Sequence, residues 1–187
     1  MNPIESAAAA ETEAVDDAAA TELVDFWELA RQHVGLDRLD VITGPDSAGK
    51  VPPPAFAFGD TPELADEALA LVLAGTKRAT SSAVSEYASQ GEEIPAVGDL
   101  SIVLDGRGHP RVLVRTTAVE VVAFGAVDAE HALLEGEGDL SLEAWRSAQR
   151  AFAGRAATAG ADAAGVALDD ATPLVLERFE VRFPARD

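Results

Sequence analysis

The chain has 187 residues, 48% of them hydrophobic, which is enough to close the core of one domain and too short for two full ones. Thirty-three acidic against fourteen basic residues set the net charge at −19, a field that repels phosphate backbones and works against a sequence-blind grip on long nucleic acid. There is no cysteine, so disulfides, thiolate metal sites and cysteine nucleophiles fall away together.

Residues 1–20 are polar, acidic and Ala-rich, with five acids, no base and no apolar stripe, and are expected to stay disordered outside a single domain spanning 21–187. They carry no basic region followed by an apolar stretch, so nothing directs secretion and the cytoplasm is the expected compartment. Thr21 caps a first amphipathic helix, with Leu23, Phe26, Trp27, Ala30 and Val34 at helical spacing before Gly35. Thr43 to Pro54, with two glycines and three consecutive prolines, is a loop. Thr61-Pro62-Glu63 starts the best-defined helix, with Leu64, Ala68, Leu71 and Val72 on one face and Gly75 at its C′ position. The longest apolar runs, such as Ala68 to Ala74, fall short of the roughly 20 residues a membrane-spanning helix needs, and no membrane partner is expected.

Leu100–Leu104 and the Val- and Thr-rich Arg111–Val122 flank the turn sequence DGRGHP and predict a hairpin. Glu130–Leu134 predicts a helical turn, Ser141 caps a helix carrying Trp145, Ala148 and Phe152, and Leu174–Phe183 is a closing strand. Helices and strands alternate without a βαβ repeat, so the fold class is α+β on a curved, mainly antiparallel sheet.

Only two lysines stand among the basic residues, Lys50 in the Pro/Gly loop and Lys77 just past a helix end. An ammonium, unlike a guanidinium, can lose its proton when partly buried and then act as a base. Thr80 lies three residues on, and its hydroxyl needs such a base to become a nucleophile; against this stand an exposed Lys77 at a helix C-terminus and polar strand-start roles for Thr80, Ser81 and Ser82. Glu135-Gly136-Glu137-Gly138-Asp139 crowds three carboxylates, so one could hold a proton at neutral pH and serve as a general acid, or the loop could simply be solvated. His33, His109 and His131 show no ligand spacing and read as structural or surface residues. No metal site and no cofactor is expected, and no hydrolase elbow, phosphate-binding loop or dinucleotide fingerprint is present.

The segments Phe58-Gly59-Asp60-Thr61-Pro62-Glu63-Leu64-Ala65-Asp66, LVLAGTKRATSS, VGDLSIVLDGRG, VRTTAVEVVAF and EGEGDLSLEAWR together resemble ASCH-domain proteins of the longer bacterial type, over about Phe26 to Phe183. The motif Gly75-x-Lys77-x-x-Thr80 is that family's signature. The resemblance implies a PUA-like curved β-barrel with packed helices and a cleft holding the motif. Members are associated with RNA binding and modification, and a short bacterial branch hydrolyses N4-acetylcytidine with a lysine, a threonine and a glutamate. By that resemblance Lys77 is the base, Thr80 the nucleophile and Glu135 the acid, with Glu137 the alternative alignment. Gly75, Arg78, Ser81, Arg115, Glu137 and Trp145 are expected to bind substrate. The chain departs from its relatives at Trp145-Arg146-Ser147-Ala148-Gln149, where they carry WRxxH, and at Ala57, where they carry tryptophan. The expected partner is a small nucleoside or a modified RNA base, and the rival class is an RNA-binding or regulatory module, with a ribonuclease disfavoured by the lack of a positive channel.

Overall fold

The computed structural model describes residues 3–35, 51–158 and 168–184. Helix α1 (Pro3–His33) starts well before Thr21: the Ala-rich segment expected to lack structure continues the helix, in line with alanine's high helix propensity. Of the Pro/Gly loop, residues 43–50, Lys50 included, lie outside the described residues. A two-residue strand β1 (Ala55–Phe56) leads to α2 (Pro62–Ala74), where Thr61 Oγ1 accepts from the Leu64 amide at 3.3 Å. Gly75 closes α2 at φ +79°, the left-handed backbone a C′ glycine supplies. The buried face of α2 is Ala65, Ala68, Leu69 and Val72. Leu64, expected inside, is 38% exposed, because the helix is rotated toward its small residues.

Strand β2 (Ala79–Ala83) runs into a short helix α3 (Val84–Gln90), followed by the hairpin of β3 (Leu100–Leu104) and β4 (Pro110–Ala123). Asp105 organises the hairpin turn by accepting from the amides of Arg107 and His109. A 3-10 turn (Phe124–Ala126), α4 (Ala129–Glu135), α5 (Leu142–Thr158) and β5 (Pro173–Phe183) complete the order. Asp128 caps α4 through the His131 amide and Ser141 caps α5 through that of Ala144.

The sheet order is β1-β3-β4-β5-β2, antiparallel except for the parallel β1–β3 pair. Among the described residues it is curved but unclosed, with β1 and β2 as edges, so the barrel expected from the resemblance is open. Irregularities in the β4–β5 register, between Leu113 and Val114 and between Thr116 and Ala118, bend the two longest strands.

Alternation along the strands builds two layers. Val103, Val112, Val114 and Phe179 face α2 and pack with Phe58, Leu69 and Val72. On the opposite face, Ile102 and Leu113 pack under Trp27 and Ala30 of α1, while Leu174 and Leu176 pack under Phe124, Ala132 and Trp145 of the α4–α5 region. No described helix is long and apolar enough to cross a membrane.

Candidate functional site

Lys77 leaves the end of α2 where the two layers meet. Its Nζ is 5.1 Å from the centroid of the Phe58 ring in the α2-side core. From the other layer, the end of α4 and the turn after it deliver two carboxylates: Glu135 Oε2 at 3.5 Å and Glu137 Oε1 at 2.6 Å. Lys77 and Glu135 are each 2% exposed, whereas the Glu137 side chain is 46% exposed. The backbone clamps these parts together, with the Arg78 amide donating to Leu134 O at 2.8 Å and the Arg78 carbonyl accepting from the Phe179 amide at 2.9 Å. Gly136 ends α4 at φ +74° against Thr76, so closely that a Cβ there would lie 2.8 Å from the Thr76 carbonyl carbon.

The other oxygen of Glu135 belongs to a polar network. Ser81 Oγ donates to Glu135 Oε1 at 2.5 Å, and His131 Nε2 lies 2.8 Å from Ser81 Oγ and 3.1 Å from Glu135 Oε1. Burial alone would raise the Glu135 pKa, but the hydrogen bond from His131, the Lys77 charge and the Ser81 hydroxyl outweigh it and hold the carboxyl below its ordinary range. The Trp145 indole N–H faces Glu135 closely enough to add to this lowering, yet it is buried without a hydrogen bond of good geometry. A resting general acid needs the opposite shift, so these surroundings do not favour the acid role expected of Glu135; Glu137, the alternative alignment, has its Oε1 2.6 Å from Lys77 Nζ.

Thr80 stands apart from this network. Strand alternation sends it to the face opposite Ser81, across from Glu177 on β5, and its hydroxyl makes no hydrogen bond among the described residues. Glu177 accepts from Thr116 Oγ1 at 2.5 Å. Its pKa is raised, by burial first, with the Thr116 hydrogen bond opposing and Asp99 adding repulsion.

Of the residues expected to bind substrate, Ser81 and Glu137 are in the cluster and Trp145 borders it, stacked on Phe124 at 5.6 Å. Gly75 shapes the turn into Lys77, and Arg78 is exposed beside it. Arg115 lies outside the cluster, paired with Glu180 at 2.7 Å. Asp139, third of the crowded carboxylates, instead accepts from the Ser141 amide. Asp60 of the Phe58-Gly59-Asp60 motif pairs with Arg155 of α5 at 2.7 Å. Among the described residues no three His, Asp or Glu gather as a metal site. His131 was missed in the sequence; its one local signal is the i, i+4 spacing to Glu135 on a single helix face.

The ASCH-domain family model matches residues 54–182, which is most of the chain and includes every residue of this cluster. The chain belongs to the ASCH-domain family. The crystal structure of an ASCH domain from Lactobacillus crispatus is similar at 29% identity and a TM-score of 0.62, over 81% of this chain and 94% of that one. A protein from Enterococcus faecalis is similar at 27% identity with the same TM-score, over 81% of this chain and 87% of its own. No curated protein matches. The ASCH domain is a PUA-like RNA-binding fold, and this one places its signature lysine between two layers and two carboxylates.

Proposed function

We propose that this ASCH domain hydrolyses the acyl amide of a small N4-acylated cytidine, with N4-acetylcytidine as the reference substrate. The observation that carries the reading is the Lys77–Glu135 pair, both groups almost fully buried and 3.5 Å apart. A buried ion pair contributes little net stability and is often neutral or worse against apolar packing. A buried pair between the lysine of the family's signature motif and a carboxylate is therefore a candidate for chemistry.

In the proposed reaction Lys77 passes a proton to Glu137, 2.6 Å away, and the neutral amine takes the Thr80 proton as Oγ1 attacks the acyl carbon. The tetrahedral intermediate breaks its C–N4 bond, and the amine leaves with the proton returned by Glu137. Lys77 again passes its proton to Glu137 and, as the neutral amine, deprotonates a water that attacks the threonine ester; Glu137 returns the proton to the departing Thr80 Oγ1, and the carboxylic acid is released. Glu135 stays ionised throughout and balances the lysine charge. Thr80 takes this role from the motif it shares with Lys77, and because it lies on the face of β2 opposite Ser81, the attack needs Lys77 Nζ to reach that face. A neutral nucleoside meets no repulsion from a net charge of −19, whereas an RNA strand does. The RNA-binding class of the fold favours a second reading, in which the same cleft holds a modified or single-stranded base without chemistry.

Incubation of the protein with N4-acylcytidines and chromatography for cytidine tests the proposal. Wild type should release cytidine, and Lys77→Arg should lower the rate by roughly 10²- to 10⁴-fold, the range for a lost general base, while calorimetry still detects nucleoside binding. Absence of release from wild type, with single-stranded RNA bound in a steeply salt-dependent way, would establish the binding module instead.

A further inference from the structure

The two oxygens of Glu135 face different neighbours. Oε2 faces Lys77, while Oε1 is held between Ser81 and His131. Ser81 has a single hydroxyl hydrogen. Donated to Glu135 at 2.5 Å, it leaves the 2.8 Å approach of Ser81 Oγ to His131 Nε2 without a hydrogen unless the ring supplies one. The network is therefore consistent only with a proton on His131 Nε2, shared between Ser81 Oγ and Glu135 Oε1. Among the described residues Nδ1 makes no hydrogen bond and is not fully sealed from solvent. His131 also lines a groove of about 410 Å³ with Asp128, Leu176 and Arg178.

The ring itself has little freedom. Its backbone amide is capped by Asp128 at 2.9 Å, and the Trp145 indole stands edge-on at 6.1 Å. The side chain is 3% exposed. With two donors on Oε1, the Glu135 carboxylate cannot turn without losing both.

We propose that His131 and Ser81 are positioning residues that lock Glu135, so that Oε2 alone faces Lys77 and the incoming substrate. The catalytic consequence rests on the proposed hydrolysis, but the lock does not. The charged groups around it are Lys77 from the α2–β2 turn, Glu137 through Lys77, and Asp128 on the histidine's own helix. Arg178 and Glu120 stand across the groove, with Arg178 paired to Glu130 at 3.0 Å. None of these replaces a donor on Oε1.

The test uses the full chain and two readouts, the Glu135 carboxyl titration by carbon NMR, assigned through Glu135→Gln, and steady-state hydrolysis of N4-acetylcytidine. His131→Leu should move the Glu135 midpoint upward, because a lowering hydrogen bond is gone. It should also reduce kcat by roughly ten- to a hundredfold, the range for a hydrogen bond to a charged group, with KM little changed and the acid limb of the pH profile moved up. His131→Gln, whose amide nitrogen can donate to Oε1, should restore both. Ser81→Ala should move the midpoint in the same direction and covers the case in which His131→Leu does not fold. An unmoved midpoint in a folded variant overturns the lock. If wild type hydrolyses nothing but the midpoint moves, the lock stands and the hydrolase reading fails.

Discussion

At Glu177 the sign of a pKa shift becomes a stability claim. Burial holds its folded pKa above the ordinary carboxyl value, so as pH rises the unfolded chain ionises first and the folded state loses stability through the folded pKa; below the unfolded value the loss is absent. Glu177→Gln keeps an oxygen for Thr116 and removes the charge. It should melt about 1–3 °C above wild type at pH 7.5 and no higher at pH 4 by calorimetry. An equal gain at both pH values would refer the effect to packing. Glu135 has the opposite sign, its stability present at neutral pH and lost as pH falls through its lowered pKa. The lysine and its glutamates were legible in the sequence because a motif and a carboxylate-rich loop mark them. His131 was not, because its partner Ser81 lies 50 residues away and only the fold joins them. The face taken by Thr80 needed the register of β2 against β5, which no local pattern supplies.

Helix ends position these side chains, and Gly136 shows how tightly. Alanine there would take on left-handed strain of roughly 1–2 kcal/mol and also push on Thr76, whose neighbour is Lys77. Gly91, which ends α3 at φ +70° with nothing within 4 Å of a built Cβ, would take on the strain alone. Gly136→Ala should therefore melt lower than Gly91→Ala, by about 3 °C or more, and should depress hydrolysis while Gly91→Ala leaves it near wild type. Equal losses in both variants would show that the Thr76 contact does not transmit to the site. Elements with strong caps were readable in advance, as at Thr61, Gly75 and Ser141. Helix α3 was not, since Ala83 provides no side-chain cap and the helix buries no residue, leaving no apolar period to detect. Strand β1 is two residues long and is defined only by its pairing with Ile102 and Val103.

Over the whole molecule, the site lies where the α2 layer and the α4–α5 layer meet, so it depends on both cores and little on the N-terminal part of α1. Docking of α1 involves Leu23, Phe26, Trp27, Ala30 and Val34, against Ile102, Leu113 and Phe183, while residues 18–20 are exposed. Removing residues 1–20 also removes five negative charges from a chain at −19, which relieves self-repulsion. The helix nevertheless continues through this segment: the docked part supplies the nucleus, so each added residue contributes a hydrogen bond without a second nucleation cost, and acidic residues toward the N-terminus favour the helix dipole. Two results follow for the truncated chain. Its melting temperature should match the full chain within about 2 °C and exceed it slightly at low salt, because the described α1 contacts, which begin at Leu23, are all retained and repulsion falls. The circular dichroism difference between the two should have a helical shape at low temperature and fade before the main transition, since helix without tertiary packing melts first. A drop of several degrees would show that the segment docks on the body, and a coil-like difference would show that the helix ends near Thr21.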